Sequence, residues 1–342
     1  MKSNNLKVGI VGAGRMGRRH IHVVRKLGFE LVGIVDVSRD ALQEARREHD
    51  LDSDLLFDSP ENLYASVVPG CLIIATTADS HCTMTCNAAE RGTKYILVEK
   101  PMAVSLDECK RMIRTCETYG VKLAVNHQMR FMEQYSKPKA MLESDEYGGF
   151  KSMTVVGGNF GFSMNGTHYI EAFRYITGEE PAEITGWFSP DVVANPRGVQ
   201  FEDRAGSIRV VTTSGKRLYI EIGSDQGHGL QVTYAGRNGI IGINELTGEM
   251  TTSVREPQYR ELPTTRYGMP AKAGRETIKP VEVIDSTAKV LSALLNDQNN
   301  VTAQQGMLAV KVLVAAYTSA ENGSVAVRLD HKLDHSRVFP WA

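Results

Sequence analysis

Leu6-Lys7-Val8-Gly9-Ile10-Val11-Gly12-Ala13-Gly14-Arg15-Met16-Gly17 is the stretch that decides the fold. A short apolar run, read as a buried strand, opens straight into G-x-G-x-x-G. Met16, Ile21, Val24 and Leu27 then recur at helical spacing as far as the stop signal at Gly28. Glycines at those places allow a tight turn and let a pyrophosphate approach the backbone at the start of a helix. The next apolar run, Leu31 to Val35, ends on Asp36, about twenty residues past the loop. A carboxylate there accepts hydrogen bonds from adenosine ribose hydroxyls and opposes a 2′-phosphate, so the expected ligand is a dinucleotide, NAD in preference to NADP. Arg39, and less directly Arg15, lie close enough in sequence to neutralise a phosphate, which leaves NADP possible; the alternative for Arg39 is a solvated charge at a helix start.

The same alternation continues outward from the loop. Helices are expected over Arg39 to His49, Ser59 to Ala65, His81 to Arg91 and Leu106 to Tyr119, the last with Ser105 or Asp107 as cap. Strands are expected over Cys71 to Thr76, Lys94 to Val98 and Lys122 to Asn126. That period predicts an α/β fold built on a Rossmann doubly wound parallel sheet, spanning residues 1–125. Beyond about Gly149 the runs lengthen and alternate. Ser207 to Thr212 and Arg217 to Ile222, joined by Ser214-Gly215, read as an antiparallel hairpin, with further strands near Gln231 to Ala235 and Gly239 to Asn244. Residues 126–342 are therefore expected to form an α+β domain with a large, mostly antiparallel open sheet. Pro257 to Pro280 reads as an exposed loop, followed by helices over Ala288 to Leu295 and Thr302 to Glu321.

Composition narrows the partners. The 342 residues carry 39 basic and 40 acidic side chains, a formal charge of -1, so no overall field favours nucleic acid or an anionic membrane. Cys71, Cys82, Cys86, Cys109 and Cys116 are odd in number and lack C-x-x-C pairing, which predicts packed thiols in a reducing compartment. With no long apolar run and a polar start leading into a strand, the expected location is the cytoplasm. His20 and His22 share the first crossover helix without an evident carboxylate partner; packing or surface roles are expected, and no metal is required. The second-domain sheet, with helices on one face, is expected to associate with copies of itself as a homodimer or homotetramer.

A second motif lies at the end of the strand before residue 99. Glu99-Lys100-Pro101 closes Tyr95-Ile96-Leu97-Val98, placing a lysine at the carboxyl end of a parallel strand, where ligands of such sheets bind. Pro101 disfavours helical backbone at Lys100. An ordinary strand-end lysine is the alternative. Taken with the glycine loop and Gly166-Thr167-His168-Tyr169-Ile170-Glu171, this motif resembles the Gfo/Idh/MocA family of sugar and cyclitol oxidoreductases over nearly the whole chain. Ala75 to His81, Asn126 to Phe131 and Ala315 to Ala320 add to the likeness.

The resemblance implies NAD(P)-linked oxidation of a ring hydroxyl, or the reverse reduction, on a small polyhydroxylated substrate in a cleft between two domains. It matches Lys100 to the lysine that contacts the reacting hydroxyl and His168 to the histidine acting as acid/base. Gly12, Gly14, Arg15, Met16, Asp36, Arg39, Thr76, Thr77, His81, Glu99 and Gln128 are the expected cofactor residues, and Asn165 and Arg130 join Lys100 and His168 around substrate. Arg130 has a structural alternative, as a tie through carbonyls and carboxylates. The pattern departs from the family at Met164, where relatives often carry aspartate four residues before the histidine. Either Asn165 orients substrate by hydrogen bonds, or a carboxylate such as Glu171 or Asp79 serves from another direction. Two other functions use the same frame: a non-catalytic dinucleotide-sensing regulator, and an enzyme that uses bound NAD transiently for elimination or hydrolysis.

Overall fold

The protein is described here by a computed structural model covering residues 6–158, 160–265, 267–279 and 282–342. From the glycine loop outward the elements alternate strictly. They run β1 (Lys7–Val11), α1 (Arg15–Lys26), β2 (Glu30–Val35), α2 (Arg39–His49), β3 (Leu56–Phe57), α3 (Pro60–Ser66), β4 (Cys71–Ile74), α4 (Ala78–Glu90), β5 (Tyr95–Val98), α5 (Leu106–Thr118) and β6 (Lys122–Val125). The six strands form one parallel sheet in the order β3-β2-β1-β4-β5-β6. This is the doubly wound arrangement, with its strand order reversing between β1 and β4. Ser38, Ser59 and Ser105 cap α2, α3 and α5, each accepting the backbone N–H three residues on. Helix α4 starts at Ala78, ahead of the expected His81, because Ser80 is held in its first turn by Thr76 Oγ1 at 2.6 Å and the Thr77 carbonyl at 2.9 Å.

Two compact units divide the chain. The first comprises Met1–Gln128, Glu282–Val310 and Asp334–Ala342; the second comprises Met129–Val281 and Lys311–Leu333. A single cut at residue 125 thus misses two returns of the chain to the first unit. In the later of these the Phe339 N–H donates to the Val104 carbonyl at 2.9 Å, and Trp341, fully buried, stacks on Phe339 with ring centroids 4.4 Å apart. The sequence of that return has no helix or strand period to announce it.

The second unit adds α6 (Glu133–Leu142), β7 (Phe150–Gly158), α7 (Thr167–Thr177), β8 (Pro181–Val193), β9 (Asp203–Thr212), β10 (Arg217–Gly223), β11 (Gln231–Gly236), β12 (Gly239–Asn244), β13 (Glu249–Arg255) and β14 (Ala271–Thr277). Helix α8 (Val283–Asn296) lies in the first unit; α9 (Ala303–Glu321), from Lys311 on, and β15 (Val327–Arg328) complete the second unit. Its nine strands pair in the order β14-β13-β12-β11-β7-β10-β9-β8-β15, and only β7 with β10 is parallel. The expected hairpin is present, Ile208 opposite Ile220 and Val210 opposite Leu218. Alternation sends Met153, Val155, Val210, Leu218, Ile220, Val232, Tyr234 and Ile241 to one buried face, each large apolar side chain worth about 1.5–3 kcal/mol on burial.

The stretch from Pro257 to Pro280 is a correction to the expected loop. Ala271–Thr277 is an edge strand paired antiparallel with β13, and every residue in it is exposed. Its Lys272, Arg275 and Glu276 carry no apolar alternation, because the strand is joined by backbone hydrogen bonds and packs no face into a core. Pro280 itself lies outside the described residues.

Close backbone approach sets one position of the second unit. The Gly186 N–H donates to Ser319 Oγ at 3.0 Å, and a Cβ on Gly186 would stand 2.5 Å from the Ala316 carbonyl oxygen. Gly186→Ala is expected to force β8 away from α9 at a cost of roughly 1–3 kcal/mol. A lower denaturant midpoint with unchanged slope would register that loss.

Candidate active site

Backbone geometry makes the glycine loop a ligand cradle. Gly12 has φ +100°, donates its N–H to the Val35 carbonyl at 2.7 Å, and has no room for a side chain against the Ala75 carbonyl. A Cβ on Gly17 would overlap the Gly12 carbonyl oxygen, so the third glycine is required for the turn to close on the helix. Gly14 differs: a Cβ there would meet nothing within 4 Å. Gly14 also precedes α1, whose first turn has neither an acidic residue nor a side-chain cap. Backbone N–H groups of that turn therefore face open space, which suits a pyrophosphate.

Asp36 holds the neighbouring corner. Its Oδ2 accepts the Ala13 N–H at 2.7 Å and its Oδ1 the Ser38 N–H at 2.8 Å. The carboxylate thus ties the glycine loop to the start of α2 and keeps spare lone pairs for hydroxyl donors. Arg15 and Arg39 are both exposed, and Met16 is half-buried beside Arg19.

Across the switch point, Glu99 organises the end of β5. Its Oε1 accepts from His20 Nε2 at 2.8 Å and from Asn126 Nδ2 at 2.8 Å, joining α1, β5 and the end of β6. Burial by itself would raise the carboxyl pKa, but the His20 hydrogen bond and charge, then Lys100 and the Asn126 amide, outweigh it and hold the group at about 2. Lys100 follows, half-buried, and its peptide bond to Pro101 is cis. His81 braces the far side of this turn, with Nδ1 3.0 Å from the Pro101 carbonyl and Nε2 3.2 Å from the Thr76 carbonyl. Burial lowers its pKa despite those carbonyls, and a neutral imidazole donates to only one of the two. Asn126 Oδ1 and Gln128 Oε1 are buried acceptors without a protein donor, and so are available to a ligand's amide or hydroxyl.

The histidine of the second unit is equally constrained. Phe162–Gly166 forms a single π-helical turn that runs into α7, bringing Asn165 half-buried and His168 6% exposed. Fully buried Asp203 fixes the turn, accepting the Ser163 N–H at 2.8 Å and the Met164 N–H at 2.9 Å. Gly161 is obligatory beside it, because a Cβ would lie 2.1 Å from the Asp203 carboxyl carbon. One turn along α7, Glu171 pairs with Arg130 and also accepts from Arg174 Nε at 2.7 Å. The Arg130 guanidinium lies 5.5 Å from the Tyr175 ring centre, so its structural alternative is well supported. Glu171, gripped by two guanidinium groups, is poorly suited to relay a proton, and Asp79 is exposed in the first turn of α4. Half-buried Glu245 accepts from Tyr169 Oη at 2.7 Å and from Tyr135, anchoring the residue next to His168.

His20, Asn126, Asp203 and Glu245 were not expected in these roles. His20 had one readable signal, a polar residue one turn beyond Gly17 on the inward stripe with Ile21 and Val24. Asp203 and Glu245 act across 39 and 76 residues of chain, and neither has a local pattern around it.

An all-parallel sheet in this order, a glycine loop opening a helix, and an acidic residue ending the second strand define a dinucleotide-binding fold. Comparison with known proteins specifies it further. Residues 6–127 match the GFO_IDH_MocA model, described as an oxidoreductase family with an NAD-binding Rossmann fold. The inositol 2-dehydrogenase of Burkholderia vietnamiensis is 26% identical over 256 residues, covering 69% of this chain and 73% of its own. Among solved structures, an Agrobacterium radiobacter oxidoreductase in complex with NAD+, L-tartaric acid and magnesium superposes with a TM-score of 0.78 at 19% identity, over 95% of this chain and 98% of its own. The WlbA dehydrogenase of Bordetella pertussis, in complex with NADH and UDP-GlcNAcA, superposes at 0.72 and 20% identity over 96% and 100%. Residues 6–127 are thus an NAD-binding Rossmann domain of the Gfo/Idh/MocA oxidoreductase type, and the protein is an NAD-dependent dehydrogenase acting on CH-OH groups.

Because its folded pKa is depressed, Glu99 contributes stability that is fully present above the unfolded value near 4.5 and is lost as pH falls toward about 2. Glu99→Gln is expected to be less stable than the parent by about 3 kcal/mol at pH 7, with the gap closing between pH 4.5 and 2. Urea denaturation of both proteins across that range measures it.

Proposed function

We propose that this protein transfers hydride between NAD and a ring hydroxyl or ketone of a sugar, sugar derivative or inositol-like cyclitol, with Lys100 and His168 at the reacting oxygen. The observation that carries the reading is the clamp on Glu99, which fixes the backbone of Lys100 at the carboxyl end of β5, one strand beyond β4 at the switch point. Sequence likeness to inositol 2-dehydrogenases supports a cyclitol or sugar as substrate.

Gly12, Gly14, Gly17 and the first turn of α1 would hold the pyrophosphate, Asp36 the adenosine ribose, and Thr76, Thr77, His81, Glu99 and Gln128 would surround the nicotinamide half. When bound, NAD supplies the hydride acceptor. The protein's own task is the proton. His168 takes it from the hydroxyl as the carbonyl forms, while the Lys100 ammonium donates a hydrogen bond to that oxygen and stabilises its developing negative charge. Asn165 orients a second hydroxyl through its amide. In this reading Asp203 is a positioning residue, because its carboxylate holds the backbone of the turn before His168. Cofactor binding falls to the chain up to about residue 125 and substrate binding to the remainder. No helix among the described residues is long and apolar enough to cross a membrane, and we assign the protein to the cytoplasm.

Lys100→Ala is expected to bind NAD within about threefold of the parent and to lose 100-fold or more in turnover. The measurement is NAD titration alongside NADH formation on a panel of inositols, aldoses and sugar acids. A fully active variant would sink the assignment of Lys100, and a parent protein that binds NAD yet oxidises nothing on the panel would favour the sensing role.

The sheet of the second unit also supports self-association. Its face opposite the core leaves Trp187 52%, Tyr219 38% and Ile240 45% exposed among threonines and serines. We assign this face to a second copy of the chain. Light scattering is expected to give a dimer or tetramer, and Trp187→Glu to shift it toward monomer. A parent monomer at working concentration would overturn the assignment.

A further inference from the structure

The helices that flank the dinucleotide loop converge on a cluster with no part in the reaction above. His22 on α1 and Glu48 and His49 at the end of α2 bring one ligand atom each to within 4.8 Å of one another. The sequence reading found no carboxylate partner for His22; Glu48 is that partner in space. The two imidazoles sit edge to face with centroids 4.5 Å apart. His49 is only 3% exposed, yet neither of its ring nitrogens has a hydrogen-bond partner. Leaving such a group unsatisfied costs about 1–3 kcal/mol, which ordinary packing would avoid by placing an apolar residue there.

The surroundings aim the cluster as well as crowd it. Glu48 divides its carboxylate, Oε2 receiving Arg18 Nε at 2.7 Å while Oε1 lies 3.6 Å from His49 Nε2. Arg18 is itself shared with Glu44 at 3.0 Å, so its charge is largely neutralised. Arg25 Nη2 donates to the His49 carbonyl at 2.6 Å and fixes the end of α2. Burial, then the neighbouring His22, lowers the pKa of His49.

We propose that His22, Glu48 and His49 form a zinc site that cross-links α1 and α2. Two imidazole nitrogens and one carboxylate oxygen are a ligand set suited to a tetrahedral, borderline-soft divalent ion, with water in the fourth position. Donors on such an ion stand about 3.3 Å apart, a closure that rotation of the exposed His22 and Glu48 side chains supplies. Arg18 is the outer partner that orients the carboxylate. The ion would hold together the two helices whose starts carry the phosphate loop and Asp36, acting on stability and leaving the chemistry to other residues.

Chelator-treated full-length protein titrated with zinc chloride tests the site by calorimetry and thermal melting. The expected result is one zinc per chain and a melting temperature raised by roughly 3–6 °C at a zinc concentration 100-fold above Kd. His22→Ala and Glu48→Gln, both at exposed positions and checked for folding by circular dichroism, should each weaken binding at least about tenfold. Cys86→Ser, which removes the half-buried thiol, should leave binding unchanged. No binding, binding undiminished in His22→Ala, or binding lost in Cys86→Ser would each overturn the proposal.

Discussion

A single buried carboxylate holds the first unit in working order. Glu99 is 6% exposed and ionised, and removing that charge from water is costly unless donors replace the solvent. His20 and Asn126 do so from two directions, and because they belong to α1 and to the end of β6, satisfying the charge fixes three elements at once. Apolar contact would join the same elements without selecting one arrangement, whereas hydrogen bonds to one oxygen tolerate little displacement. The strand end that carries Lys100 is therefore positioned by electrostatics on a frame that hydrophobic burial assembles.

The second unit repeats the device around α7. Asp203 secures the backbone of the π-helical turn, Glu245 takes the Tyr169 hydroxyl beside His168, and Glu171 binds Arg174 on its own helix and Arg130 from the preceding segment. Asp203 and Glu171 are buried and Glu245 half-buried, and each acts on a different part of the helix. Burial raises the Glu245 carboxyl pKa, with the two tyrosine hydroxyls partly offsetting it, so this anchor is less firmly ionised than Glu99. Buried polar networks of this kind add more to the definition of geometry than to net stability.

Legibility in the sequence followed the range of the interaction. The parallel sheet, the glycine loop, Asp36 and Glu99-Lys100-Pro101 could be read because each is carried by neighbours within a strand, turn or helix. Edge strand β14 could not, since it joins its sheet by backbone hydrogen bonds and surface ion pairs and buries no apolar face, and the return of Phe339 and Trp341 to the first unit includes a stacked pair and a backbone hydrogen bond to Val104. His20 and Asp203 show the same limit in the candidate site. Their side-chain chemistry was plain, but the partners lie 79 and 40 residues away, and only the fold supplies that proximity.

Met164 gains its meaning from this arrangement. Where the family resemblance implies an aspartate, this chain has a thioether, and its backbone N–H is bound to Asp203. Of the carboxylates held against α7, Asp203 accepts from two backbone donors, Glu171 from two guanidinium groups and Glu245 from two phenols. Recruiting any of them as a proton acceptor would weaken the support of the helix that presents His168. On the proposed mechanism the imidazole receives the hydroxyl proton, and the Lys100 ammonium stabilises the oxygen as its charge develops.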